Sequence, residues 1–190
     1  ELTESRRRVE GLHRALLHAL GDVAHDPRPV PLDHPVELPS VRARRLSGTV
    51  PGVCGHLVVS VTASRVRDKH HLQAWVRVAA LTAVRPDVAW EAVTVGRDPD
   101  AGDKATPTVL RVRMVDHDAA LEALDVLADL RDRALRDVVP VFAQTSHDTW
   151  TKGLNGAKGA WESRMGGDGQ DRWVALAMGG QLDDLLALPL

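Results

Sequence analysis

The segment Leu57-Val58-Val59-Ser60-Val61-Thr62 carries apolar side chains at consecutive positions, so both faces of an extended chain are apolar there. A strand of that kind is satisfied only in the middle of a sheet covered on both sides. The pattern predicts a strand over 57–66 with a neighbour on each edge. A chain of 190 residues with 44% hydrophobic and 26% charged content can supply one such core, or one core with an arm.

The flanking patterns supply the neighbours. Residues 41–50 read as a strand, with Pro51-Gly52 and Gly55 marking the turn into 57–66. A helix is predicted from about Lys69 to Ala83, capped by Asp68 and closed by Pro86, with an apolar stripe of Leu72, Trp75, Val76, Ala79 and Ala80. Trp90–Val95 and Thr108–Val115 read as strands around a polar loop, and Arg111 and Arg113 share one face of the second. Asp116 or Asp118 caps a helix reaching about Arg136, striped by Leu121, Leu124, Ala128 and Leu135. Thr145, Ser146 and Asp148 read as a cap ahead of Trp150, with a last helix over 157–165 and a loop over 166–170.

Ahead of the first strand, Val9, Leu12, Leu16, Leu17 and Leu20 form a helical stripe, with Thr3 or Ser5 as cap and Gly21 as stop. Asp26 to Pro39 holds five prolines, which remove donors and fix φ, and this predicts an extended connector. The organisation expected is therefore 1–40 as helix plus connector and 41–190 as one α/β domain around a mixed sheet. The chain starts at Glu rather than Met and ends at Leu190 in an apolar segment, as an excised piece of a longer protein would.

From Leu38 through Arg67 there is not one Asp or Glu. Metal-dependent DNA cleavage needs hard oxygen ligands for Mg²⁺, supplied mainly by carboxylates, so this stretch cannot build such a site from its own side chains. It is instead basic: Arg42, Arg44, Arg45, Arg65 and Arg67, with Lys69 just beyond, are candidates for phosphate contacts. The bland alternative is a solvated strand face and a charged turn. A net charge of −2 restricts any nucleic-acid contact to a local patch of this sort. The single cysteine, Cys54, excludes an internal disulfide and fits a reducing, cytoplasmic setting. No apolar run approaches the ~18 residues that would span a bilayer.

Other constellations read more simply as structure. The His70-His71 doublet has no Cys or acid at metal-ligand spacing. Asp98, Asp100 and Asp103 resemble the start of a calcium loop, but its closing Glu is replaced by Val109. Ser146-His147-Asp148 has the letters of a hydrolase triad, yet adjacent residues cannot point at one another as a triad requires. Gly153, Gly156 and Gly159 with Lys158 lack the order of a phosphate-binding loop. Trp75 lies on a helical stripe and reads as core, whereas Trp150 and Trp161 are left open between core and interface.

The order of motifs resembles the C-terminal domain of the gamma subunit of exodeoxyribonuclease V, the RecC subunit of RecBCD-type helicase–nucleases. The resemblance rests on Leu46-Ser47-Gly48 with Pro51 and the strand after it, and on Gln73-x-Trp75. It continues through Ala123-Leu124-x-x-Leu127-x-x-Leu130, Pro140-Val141 and Trp150, so that it spans roughly 41–190. It implies a restriction-endonuclease-like mixed sheet flanked by helices that has lost its active site. Active relatives of that fold carry an Asp after the Gly of the first strand and an Asp-x-Lys on the next. Those places fall on Pro51, Ser60 and Thr62, while Gln73 is retained and an aromatic expected four residues on is Arg77.

The resemblance implies a domain without catalysis or a cofactor of its own. It would act as a scaffold for the beta (RecB-like) and alpha (RecD-like) subunits and guide DNA in double-strand-break repair and recombination. Exonuclease and ATP-dependent helicase activity, with ATP and Mg²⁺, would belong to the complex. Two other functions stay open. One is an active metal-dependent nuclease with relocated acids, for which Glu91, Asp116 and Asp118 are the best-placed carboxylates. The other is a protein-interaction domain with no DNA contact.

Overall fold

A computed structural model describes residues 2–21, 28–36, 44–101, 106–114, 116–137, 139–163, 167–178 and 182. Contacts divide the chain into two compact units, Glu1–Ala128 and Asp129–Leu190.

The first unit opens with helix α1, Leu2–Leu20, followed by strands β1 (Arg28–Val36), β2 (Arg44–Cys54) and β3 (Leu57–Arg65). Helix α2 (Asp68–Val84), strands β4 (Glu91–Arg97) and β5 (Pro107–Arg113), and helix α3 (His117–Ala134) complete the order. The five strands lie in sequence order in one sheet. All neighbours are antiparallel except β3 and β4, which run parallel and are joined through α2. This is the α/β mixed sheet expected, with β3 and β4 at its centre.

Both faces of the sheet are covered. On one side Leu12, Ala19 and Leu20 of α1 pack on Cys54, Leu57, Val93 and Val95. On the other, Ala74, Val78 and Leu81 of α2 pack on Val50, Val53, Val58 and Ala92. Ala79, Ala80 and Ala83 of α2 meet Ala120 and Leu124 of α3. The alternation of Leu57/Val58 and of Ala92/Val93 between these two layers is what the all-apolar strand pattern required.

Several expectations are corrected. The proline-rich segment is a strand: β1 pairs with β2 from Val30↔Val50 to Val36↔Arg44. Its prolines Pro29, Pro31 and Pro35 all occupy odd positions, so their missing N–H groups share one direction. Only an edge strand tolerates that, with those positions turned to the open edge. Helix α1 and strand β1 both lie within the first unit. Within α1, Leu12, Ala15, Leu16, Ala19 and Leu20 form the buried stripe, while Val9 and Leu17 face solvent. Thr3 and Ser5 lie inside the helix rather than capping it, and Gly21, with φ +56°, ends it by donating its N–H to the Leu17 carbonyl.

In α2 the predicted stripe holds at Ala79 and Ala80, which are buried, but not at its large side chains. Leu72 is exposed and Trp75 and Val76 are half-buried, while Ala74, Val78 and Leu81 take the core positions. Small residues win because they let α2 approach the sheet and α3 closely. Asp68 is the first helical residue, not the cap. Arg67 precedes the helix, and its backbone N–H donates to His70 Nδ1 at 2.9 Å, which satisfies the helix start. Asp116 does cap α3, its Oδ1 accepting from the N–H groups of Asp118 and Ala119. Leu135, expected in that helix's stripe, is exposed.

In the second unit, helix α4 (Ala143–Glu162) is kinked at Gly153, where φ is +69°. A single 3-10 turn, Asp168–Gln170, and helix α5, Arg172–Met178, follow. Ala157, Trp161 and Leu182 form its core, with Phe142 edge-on to Trp161 at 5.2 Å between ring centroids. The expected cap of α4 is partly remote: Asp168 Oδ2 accepts from both the N–H and the hydroxyl of Thr145, each at 2.8 Å. Ser146 accepts the Phe142 N–H, and Ser146-His147-Asp148 lies in the helix. Of the segment 182–190, only Leu182 is among the described residues. No helix among the described residues is long and apolar enough to cross a membrane.

Candidate functional site

The site forms where β2 and β3 part. The two strands leave the Gly55-His56 turn paired as Cys54↔Leu57 and Val53↔Val58. The next residue back, Gly52, has φ +73°, and a Cβ there would lie 2.5 Å from the Val59 carbonyl oxygen. Val50 and Val53, three positions apart, pack in the same cluster, which a regular alternation of side chains forbids. The chain therefore bulges at Pro51-Gly52, so this pair is not the turn the sequence suggested. Pro51 has no N–H to continue the ladder. Beyond this point β3 stays with β4, where Ser60 pairs with Thr94, and β2 stays with β1.

The opening is a pocket of about 360 Å³ lined by Pro51, Gly52, Val59, Ser60, Val61, Thr62, His70, Gln73, Arg77 and Thr94. Pro51, Ser60 and Thr62, from two strands, thus meet Gln73, from the helix. None of the lining residues is Asp, Glu, Lys or Cys. Arg77 is the one permanent cation in the lining, and its Nη1 donates to Ser60 Oγ at 2.7 Å. Thr62 Oγ1 is engaged by Ser64, 2.8 Å from its hydroxyl. His70 closes the end of the pocket nearest the start of α2. Burial, then the charge of Lys69, lower its pKa below the ordinary 6.5, with the neighbouring His71 and Arg67 acting the same way against the Arg67 backbone hydrogen bond. Because Nδ1 accepts from that backbone N–H, the neutral ring carries its proton on Nε2 and is a donor there.

Of the phosphate-contact candidates, Arg65, Arg67 and Lys69 fall together at the β3–α2 junction beside His70. Arg67 and Lys69 are exposed and Arg65 is half-buried; Arg65 and Arg67 each already engage another group. Arg44 and Arg45 begin β2 at the same end of the sheet at which the antiparallel β3 finishes, but their side chains lie outside the described part. Arg42 lies outside the described residues altogether.

The three relocated acids do not converge. Glu91 is on the α1 side of the sheet, only 4% exposed, and is clamped by Arg111 Nη1 at 2.7 Å and Arg113 Nη2 at 2.8 Å. Arg111 also donates to the Ala19 carbonyl at the end of α1. Arg111, which shares one face of β5 with Arg113, thus ties the first helix to the sheet. Burial would raise the Glu91 pKa, but the hydrogen bonds and charges of Arg111 and Arg113 outweigh it and hold the carboxyl below 4.5. Asp116 caps α3 and Asp118 is exposed in its first turn. No group of three or more His, Cys, Asp or Glu among the described residues is arranged to hold a metal ion. Asp98 Oδ1 accepts from the Asp100 N–H, as in a local turn, and Asp103 lies outside the described residues.

Cys54 and Trp161 are buried, whereas Trp150 is 86% exposed. Gly153 makes the α4 kink, and at Gly156 a Cβ would press on the Asp148 carbonyl, so these glycines serve helix geometry. Sequence reasoning placed Arg77 at the motif's aromatic position but did not read it as the cation of the pocket. The available signal was its position one turn after Gln73, which puts both on one face of the helix.

The family model of the RecC C-terminal domain matches residues 1–153. That range takes in α1 and β1, ahead of the span of roughly 41–190 over which the sequence motifs carried the resemblance. The RecBCD enzyme subunit RecC of Mycolicibacterium smegmatis is 41% identical over 107 residues, covering 55% of this chain and 9% of the relative. That of Mycobacterium tuberculosis H37Rv is 34% identical over 113 residues, covering 60% of this chain and 10% of the relative. The chain therefore spans about a tenth of the length of the curated relatives it matches. With the family model covering most of its length, the chain belongs to the RecC C-terminal domain family.

Proposed function

We propose that this chain is the non-catalytic, nuclease-like domain of a RecC-type gamma subunit. It works in double-strand-break repair and recombination by holding helicase–nuclease subunits and guiding DNA. The relatives are named as subunits of the RecBCD enzyme, and the chain shares their C-terminal domain family. The observation that carries the non-catalytic reading is the pocket between β2 and β3. Pro51, Ser60, Thr62 and Gln73, the places a metal-dependent nuclease would use, meet in one cleft, and the lining offers Mg²⁺ no carboxylate. The restriction-endonuclease-like assignment is supported by the same convergence. It also accords with a mixed sheet in which an antiparallel run, β1 to β3, passes through a helix to a parallel strand.

The subunits contacted are the beta and alpha subunits of the complex. The DNA path follows the basic junction of Arg65, Arg67 and Lys69 and the start of β2 at Arg44 and Arg45. The test is co-purification of this chain with each subunit separately at moderate salt. Retention of the beta or alpha subunit is expected, and loss of both from a folded chain would remove the scaffold part of the proposal.

A further inference from the structure

Resting on the reading that this domain guides DNA, we infer that the degenerate pocket is a metal-free site for a phosphodiester of a single nucleic-acid strand, with Arg77 supplying the positive charge. A nuclease holds its phosphate through divalent metal, and here the lining provides a guanidinium instead.

Arg77 is half-buried, and its one hydrogen-bond partner among the described residues is the neutral hydroxyl of Ser60 at 2.7 Å. No carboxylate lines the cleft or pairs with Arg77 among the described residues. A charge withdrawn from water without a counter-charge is unfavourable, and an entering anion removes that penalty. The remaining guanidinium N–H groups keep the fork geometry that matches two phosphate oxygens.

The rest of the lining is set to donate. Ser60 accepts from Arg77, so its own proton is left to point at a ligand. His70 presents Nε2–H because Nδ1 is occupied by the Arg67 N–H. Gln73 is exposed and adds an amide. The cleft volume of about 360 Å³ falls at the small end of ligand-binding clefts. Exposed Arg67 and Lys69 lie within three residues of His70, which lines the cleft, and are where the strand would continue. The absence of acids across Leu38–Arg67, which denies the strand walls a metal ligand, also keeps those walls free of a carboxylate that would repel a phosphate.

The experiment is fluorescence anisotropy of labelled oligothymidylate with the 190-residue chain at low salt, with EDTA present. Binding is expected to survive EDTA. Ser60→Asp places a carboxylate on the existing partner of Arg77. It is expected to weaken binding about tenfold or more, the scale of a lost charge-assisted contact. It should also flatten the slope of log K against log salt by about 0.7, the worth of one phosphate on a single strand. Its melting temperature should not fall, because the new acid pairs with Arg77. If Ser60→Asp does not fold, Arg77→Gln gives the same reading.

Wild-type affinity in both variants overturns the inference, as does binding that needs Mg²⁺. If Lys69→Ala weakens binding while both pocket variants bind as wild type, the pocket assignment fails and the DNA-guiding reading stands. Oligothymidylate that never binds at low salt overturns both.

Discussion

Arg77 Nη1 donates a 2.7 Å hydrogen bond to Ser60 Oγ, joining the third turn of α2 to the middle of β3 inside the cleft. The contact is between a half-buried charge and a neutral acceptor. Ser60→Ala therefore removes the guanidinium's one partner among the described residues and should lower stability by about 1–2 kcal/mol, measured by urea unfolding. No change would mean that water already satisfies Arg77 and that the bond adds nothing to the fold.

Gly52 sets the width of that cleft. With φ +73° and the Val59 carbonyl in the path of any Cβ, Gly52→Ala should destabilise by about 1–3 kcal/mol. Gly11, inside α1 with nothing within 4 Å of a Cβ, is the control. Gly11→Ala should raise stability by about 0.5–1 kcal/mol through helix propensity. Equal effects at the two positions, read from the same denaturation curves, would refute the bulge.

Much of this architecture was readable from periodicity. The central strands announced themselves because burial on both faces leaves no polar positions in Leu57–Val59, and β5 did so through the alternation of Leu110, Arg111, Val112 and Arg113. The proline-rich strand was not readable by counting prolines. What decides is their parity, since Pro29, Pro31 and Pro35 spare the paired edge together. Pro51-Gly52 looked like a turn because the same left-handed glycine serves a turn or a bulge, and only the packing of Val50 with Val53 separates them. The stripe of α2 was drawn through Leu72, Trp75 and Val76 together with Ala79 and Ala80; close approach to the sheet and α3 kept the two alanines and added Ala74 and Ala83 in place of the large side chains. The cleft residues on the strands followed from the family motif, but the role of Arg77 needed three elements to be brought together in space.

The Glu91 clamp makes stability depend on pH in one direction. Its folded pKa lies below 4.5, so the folded state binds the proton less readily than the unfolded state does. The contribution is present above pH 4.5 and is lost as pH falls through the folded value. Glu91→Gln should therefore lower the urea midpoint near neutrality, with the gap to wild type closing as the acid range is entered. A gap that stays constant down to the lowest pH would show that the carboxylate charge is not what the arginines hold. At neutral pH the loss should be about 2 kcal/mol, moderated because Arg111 and Arg113 are partly exposed.

The remote cap predicts a local effect in the second unit. Asp168→Ala leaves the N–H and hydroxyl of Thr145 without their 2.8 Å acceptor and should cost about 1–2 kcal/mol. Hydrogen exchange should quicken in the first turn of α4 while β3 and β4 keep their protection. Uniform quickening throughout the chain would contradict a local role.

The central claim is that the cleft of Pro51, Ser60, Thr62 and Gln73 has the form of a nuclease site without its chemistry. The most direct measurement is cleavage of linear duplex and single-stranded DNA by the purified chain in Mg²⁺ and in Mn²⁺. The account predicts intact DNA with either metal. Metal-dependent cleavage that disappears in Glu91→Ala, Asp116→Ala or Asp118→Ala would contradict it and establish a relocated active site.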